Sequence, residues 1–454
     1  MLSLALDIGT TKICLLIYDC ISMKVLNLVS VLNSSSLDTS DTQKFEQDPQ
    51  IIWKLIQQLF AEIRNKSQSY SEIQNICITG QMHGILIIDE KGAPLTNLIT
   101  WRDCRPLKDS LCSFPQQNGC MLNPGYGGYS LVALKQVGFD FSNKKVCTIS
   151  SFIRGRMCGD YCIDQSFAAS LGLFDVRKKQ WNEDQITKLN LPLTLFSPTL
   201  ESCIDSCQIS AVFAKEVGLA DSVQVYAPLG DNQASYLGSV GFQKLGLINL
   251  GTGGQLTIPC KDFFYYEGFE IRPFPDNSFL QVYSSLCGGW AYAYLKDFCR
   301  DVLHCFGFEV PESKVYHVLD SLAEKETGLD ELWVDTRFLG ERGKVSEGLF
   351  GSINHITTTN LTLKSLAYGF LKGMVKELYH PIFQQIDHSC IYASGNAVRK
   401  SSLVQALIEK EFSCTCKLPP FSEEAAVGVA LGVGVWGSGI ITEQQVNQFF
   451  KTTS

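Results

Sequence analysis

The sequence predicts an α/β protein of two domains with a cleft between them. Three observations support this. The chain has 454 residues, more than one ordinary hydrophobic core organises. Apolar runs of strand length alternate with amphipathic runs of helix length. One short pattern, an apolar strand, a Gly-Thr turn and a second apolar strand, also occurs once in each half. It surrounds Asp7-Ile8-Gly9-Thr10-Thr11-Lys12 and again Gly251-Thr252-Gly253-Gly254. Glycine permits a tight turn and a close approach of backbone to ligand. The turn amides and threonine hydroxyls can then donate hydrogen bonds to an anion. Two such turns, one per half, suit a chain that grips a triphosphate from both sides of a cleft.

The elements follow in order. Leu4–Ile17 reads as a strand, a turn and a strand, with a third extended piece from Val25 to Val31. Asp48-Pro49 starts a helix, because proline suits the first turn. Ile51, Ile52, Leu55, Ile56, Leu59, Phe60 and Ile63 give that helix one apolar face. Ile73–Thr79 and Gly84–Asp89 are strands, and a loop-rich aromatic region runs from Thr100 to Tyr129. Val223–Ala227 is a strand, and Gly230-Asp231-Asn232 opens a helix. The second half restarts at Leu245, with helices expected over Gly288–Phe306, Leu363–Phe383, Ser401–Phe412 and Glu423–Val435. Ile391–Ala393 is a short strand and Gly395-Asn396 a turn. The boundary falls near 236–244, giving domains 1–240 and 241–454.

Composition narrows the function. Hydrophobic residues make up 45% and charged residues 19%, which fits a folded chain rather than a disordered one. The net charge of −8 and the lack of a basic block argue against nucleic-acid or anionic-membrane partners. No run has the length of a membrane-spanning helix, and Asp7 interrupts the only apolar candidate near the start. A cytoplasmic location is expected, with the 18 cysteines reduced and mostly buried. Cys414 and Cys416 lack the spacing and partners of a zinc site.

Four local patterns carry chemistry. Asp7 before a Gly-Thr turn suits contact with Mg²⁺ through water, while Thr10, Thr11 and Lys12 suit phosphate oxygens. The spacing is not that of a P-loop. Gly80-Gln81-Met82-His83-Gly84 gathers hydrogen-bonding groups on a tight loop, and Trp101-Arg102-Asp103 adds an indole face and charges suited to a sugar. Asp231 at a helix start is ordinarily an N-cap. Between the two turns it is also a candidate general base. Gly432-Val-Gly-Val-Trp-Gly437 spells a dinucleotide fingerprint but follows a helical stretch, so close helix packing is expected there.

In collinear order these residues resemble the FGGY carbohydrate kinases. The resemblance runs from Asp7 to about Val435 and includes Leu286-Cys-Gly-Gly289, Ser394-Gly-Asn396 and Glu424-Ala-Ala-Val-Gly-Val-Ala430. It implies a two-domain actin/hexokinase/heat-shock-ATPase fold of ribonuclease H-like halves. It also implies an enzyme that uses ATP and Mg²⁺ to phosphorylate the terminal primary hydroxyl of a ketose. Within the family the chain is most similar to the sedoheptulokinases, through Asn123–Tyr129, Cys158–Gly172 and Phe338-Leu-Gly-Glu-Arg342. Xylulokinase resemblance is clear in Gln81-Met82-His83. A xylulokinase or ribulokinase and a non-catalytic actin-like nucleotide-binding protein are the alternatives. The partners expected are a ketose and ATP, with a homodimer left open.

By the same resemblance Asp231 is the catalytic base. Gln81, Met82, His83, Trp101, Asp103 and Asn232 bind sugar. Thr10, Thr11, Lys12, Thr252, Gly253, Gly289, Gly395, Asn396 and Lys400 bind ATP, and Asp7 orients the metal. Many relatives carry glycine where Asn396 stands.

Overall fold

A computed structural model describes residues 1–107, 118–325, 332–339 and 351–453. Gly340-Glu341-Arg342 of the sequence pattern above lie outside these residues. In the first sheet, Leu2–Ile8 pairs antiparallel with Lys12–Asp19, which pairs with Lys24–Leu32. On its other side Leu2–Ile8 runs parallel to Ile73–Gly80, which also pairs with Gln224–Tyr226 and Leu229–Gly230. The second sheet repeats this opening. Gly246–Leu250 pairs antiparallel with Gly254–Cys260 and parallel with Cys390–Ser394. Gly254–Cys260 continues through Phe279–Ser285 to an edge strand, Phe269–Pro273. Each sheet thus begins with a hairpin whose turn is the Gly-Thr motif. In each, the carboxyl end of the first strand lies beside that of a parallel neighbour, where α/β sheets bind ligands.

Burial explains these strands. Leu4, Ala5, Leu6 and Ile8 have no exposed surface, so the first strand is covered on both faces and reads as an apolar run. The helix Pro49–Lys66 forms as the sequence dictates. The Asp48 carboxylate accepts from Gln50 N at 2.7 Å, and Pro49 fills the first turn. Its Ile52, Trp53, Ile56, Phe60 and Ile63 join the core beneath the first sheet.

A second core unites the halves. Leu16 and Tyr18 of the first sheet pack in one buried cluster with Leu247 and Tyr392 of the second. Two helices, Asp231–Val240 and Glu424–Gly432, cross in this core at backbone contact. A Cβ on Gly238 would lie 1.8 Å from Glu424 O, and one on Gly428 would lie 1.8 Å from Ala234 O. Only glycine fits both positions. Gly428→Ala is therefore expected to destabilise the protein by about 1–3 kcal/mol, read from the urea midpoint.

The remaining differences have local causes. The helix expected to reach Phe383 is Leu363–Leu378, because His380 is extended and Pro381 starts a separate short turn. Gly432–Gly437 continues a helix rather than following a strand, and a Cβ on Gly437 would meet the Tyr226 ring at 2.4 Å. That is the close packing expected of it. Cys158 and Cys207 are joined by a disulfide, which corrects the expectation that every cysteine is reduced. The chain brings these residues side by side, from the end of a helix and from the strand Ser206–Gln208. Among the described residues no helix is long and apolar enough to cross a membrane.

Candidate active site

The first turn is held from below by a closed set of hydrogen bonds. A Cβ on Gly9 would meet Lys12 O at 2.7 Å, so the turn requires glycine. Thr10 Oγ1 donates to Gln81 Oε1 at 3.0 Å and accepts from Trp101 Nε1 at 2.9 Å. Gln81 Nε2 donates to Gln47 Oε1 at 2.8 Å, and Gln47 Nε2 returns to Thr10 O at 2.9 Å. The Gln81 amide is buried and spends its contacts on this turn rather than on the cleft. Asp103 is likewise engaged. It accepts from Phe45 N at 3.0 Å and from Arg105 Nε at 2.7 Å, and so fixes the loop that carries Trp101. Thr11 is exposed. Lys12 Nζ reaches both Glu423 oxygens at 2.8 Å, tying the first turn to the far end of the chain.

Asp231 opens a helix directly after the strand end Leu229–Gly230. Gly230 is the cap and no side chain caps this end, so the Asp231 carboxylate is not spent on the usual N-cap bond. It lines a cleft of about 330 Å³ together with Asp7, Thr10, Met82, His83, Trp101 and Asn232. Burial pushes the Asp231 carboxyl up to about 6, while the Arg272 guanidinium and nearby backbone N–H groups pull it down. Asp7 is pushed up to about 7, first by burial, then by the charges of Asp231 and Glu423, with Lys12 opposing.

The opposite wall is built around His83. Its φ is +68°, a conformation costing a non-glycine residue roughly 1 kcal/mol or more unless its surroundings fix it. Two bonds fix it. His83 N donates to Ser170 Oγ at 3.0 Å, and Nδ1 meets Ser170 O at 2.8 Å. A carbonyl only accepts, so Nδ1 carries the proton in the neutral ring. Nε2 lies 4.0 Å from Glu270 Oε2. Asn232 Nδ2 donates to Gln255 Oε1 at 3.1 Å and Thr257 Oγ1 at 3.3 Å. Its Oδ1 is buried without a donor among the described residues.

The second turn is built differently. Gly289 N donates to Gly251 O at 3.0 Å and Trp290 N to Thr252 O at 3.1 Å, so the helix Gly288–Cys305 starts on top of the turn. Gly395, with φ +97°, lies against Leu250, since a Cβ there would meet Leu250 O at 2.2 Å. Thr252, Gly253, Gly289 and Gly395 thus gather at the end of the strand Gly246–Leu250. Asn396 and Lys400, both exposed, bound the short helix beside them. Asn249 of that strand and Gln255 of the next line the cleft that holds Asp231.

Sequence reasoning missed Asn249, Gln255, Glu270 and Arg272. Their signal was weak but present: Glu270 and Arg272 are charges at alternate positions of a strand, hence on one face. Among the described residues, no group of three or more His, Cys, Asp or Glu is arranged to hold an ion directly. Two repelling carboxylates, Asp7 and Asp231, fit a divalent cation that arrives with phosphates and keeps its own waters.

A two-lobed phosphotransferase is the class that this fold and cleft define. The profile of the FGGY family of carbohydrate kinases, N-terminal domain, matches residues 2–238. The chain belongs to the FGGY family of carbohydrate kinases. It is 24% identical to sedoheptulokinase of Mus musculus over 90% of this chain and 92% of that one. Its fold matches a ligand-bound xylulose kinase from Lactobacillus acidophilus with a TM-score of 0.83, at 20% identity, over 99% of this chain and 92% of that one. Plasmodium falciparum glycerol kinase with ADP matches with a TM-score of 0.81, at 17% identity, over 98% of this chain and 92% of that one. The fold is the two-domain actin/hexokinase type.

Proposed function

We propose that the chain transfers the γ-phosphoryl group of ATP to the terminal primary hydroxyl of a ketose, with sedoheptulose the first candidate and xylulose or ribulose the second. One observation carries this reading: a carboxylate free of the capping role, Asp231, lines a cleft with Gly9 and Thr10 of the first Gly-Thr turn and with Asn249 and Gln255, which flank the second in sequence. With its acid form titrating near 6, Asp231 is ionised at neutral pH and able to accept a proton. The substrate oxygen attacks γ-phosphorus as its proton passes to Asp231. The bond from γ-phosphorus to the bridging oxygen breaks, and ADP leaves.

The chain's own groups supply the rest. Asn232 Oδ1 accepts from a substrate hydroxyl, His83 and Met82 line the sugar's path, and the Trp101 ring covers a sugar face. The Thr10 backbone amide, the Thr11 amide and hydroxyl, and the amides of Gly251–Gly253 donate to phosphate oxygens, since the Thr10 hydroxyl proton is already given to Gln81. Lys12 exchanges Glu423 for phosphate. Asp7 would hold Mg²⁺ through water, and the ion would supply charge neutralisation for the phosphates. Gly289, Gly395, Asn396 and Lys400 border the nucleoside. The lobes are residues 1–240 and 241–454, and their closure excludes water as a competing acceptor.

A ketose panel tests this by coupled ADP release with product identification. Sedoheptulose is expected to give the highest kcat/KM and the 7-phosphate as product. A strong preference for a pentulose would move the assignment to the second candidate. ATP binding without ketose-dependent ADP release would make the chain a nucleotide-binding protein without this activity.

A further inference from the structure

The edge strand Phe269–Pro273 of the second sheet reaches over the sugar cleft of the first half. Arg272 on this strand is 4% exposed and lines the cleft with Asp231 and His83. Its guanidinium is only partly satisfied. Nη2 donates to Glu270 Oε2 at 2.7 Å, and Nη1 contacts Met82 Sδ at 3.5 Å, a weak acceptor. Nε is buried, and among the described residues nothing accepts from it. A buried guanidinium carries five donors and is costly to leave unmatched. Nε is enclosed, so the donor left for an occupant of the cleft is Nη1, whose present acceptor is only a thioether.

Position says what kind of oxygen replaces it. Arg272 also lines a small neighbouring recess with Glu270, Ser170 and Tyr126. It therefore stands where the cleft of Asp231 meets the recess behind His83. An acceptor whose reacting hydroxyl lies at Asp231 runs its chain past Arg272 toward Glu270. We propose that Arg272, held by Glu270, is a specificity-determining residue that donates to one oxygen of the acceptor away from the phosphorylated end. This deepens the sugar-kinase reading and rests on it. The class of ligand is a polyhydroxylated chain with a hydroxyl or keto oxygen at that point. Selection comes from the mismatch that an analogue lacking this oxygen leaves behind, an unpaired buried charge.

The test uses the full chain, the best ketose of the panel and its mono-deoxy analogues. The wild type is expected to lose about 30- to 100-fold in kcat/KM for one analogue. Arg272→Met is expected to lose a similar factor on the parent sugar and almost nothing further on that analogue, so the two losses do not add. Equal discrimination among analogues by both proteins would overturn the proposal. Arg272→Lys keeps the charge without the fork and is expected to fall between. Glu270→Gln, which leaves Arg272 in place, is expected to lower the same discrimination about tenfold, and it serves if Arg272→Met does not fold. Calorimetric binding of the same sugars without ATP separates this idea from the broader one. A wild type that binds the ketose but never releases ADP removes the kinase reading, and the binding ratios then decide the role of Arg272. A wild type that binds no ketose removes both.

Discussion

Asp231→Asn is expected to lower kcat by about 10³- to 10⁴-fold, at the upper end of what a positioned general base contributes. KM for ATP should change little. The substitution keeps size and shape and removes only the ability to take a proton. The variant should fold at least as stably as the wild type: Gly230 caps the helix, and removing a buried anion whose acid is raised from 3.8 to about 6 relieves a cost at neutral pH. The pH profile provides an independent reading. Burial holds the Asp231 acid near 6, above its ordinary 3.8. The base works only when ionised, so with saturating Mg²⁺ and ATP, which keep Asp7 ionised, kcat/KM of the wild type for the ketose should fall tenfold per pH unit below about 6 and level off above it. In Asp231→Asn that acid limb should vanish. Near-normal ketose-dependent turnover by this variant, or an unchanged acid limb in it, would remove Asp231 from the mechanism.

How much of this was legible without coordinates depends on sequence distance. The two Gly-Thr turns, the Gly80–Gly84 loop and the Gly230–Asn232 helix start are each contiguous, and each folds as its spacing dictates. Met82, His83, Trp101 and Asn232 join Asp7, Thr10 and Asp231 around one cleft. Gln81 and Asp103 belong to the same short patterns, yet their polar atoms face Gln47, Thr10, Arg105 and Phe45 N. Residue type says that an amide or carboxylate needs partners; only the fold says whether protein or ligand supplies them. Lys12 makes the same point, since its partner Glu423 lies 411 residues away. Arg272 and Gln255 reach the cleft, and Glu270 the recess beside it, only because the second sheet leans over the first half, and a strand's own pattern does not reveal which cavity its polar face lines. Small-residue packing was readable in Gly432–Gly437, whereas the backbone contact at Gly238 and Gly428 depends on two helices far apart in sequence.

Asp7→Asn is expected to lower kcat about 10²- to 10³-fold, the scale of removing one electrostatic contact to the transferring group. The same change should make the protein more stable at neutral pH. Asp7 titrates at about 7 in the fold against 3.8 ordinarily, because burial and the charges of Asp231 and Glu423 disfavour its anion. Between these values the folded chain binds more protons than the unfolded one, so this group's contribution to stability is full below 3.8 and is lost as pH rises through about 7. An asparagine carries no such charge. Without nucleotide or metal, the variant should therefore melt about 2–5 °C above the wild type at pH 8. The difference should shrink toward zero near pH 4. Adding Mg²⁺ with ADP should raise the wild-type Tm more than the variant's, since the carboxylate that resists burial alone is the one that favours a cation. A lower Tm for the variant at pH 8, or equal Tm gains from Mg²⁺ and ADP in both proteins, would show that Asp7 is a structural carboxylate and that the charge at the floor of this cleft is not reserved for a metal.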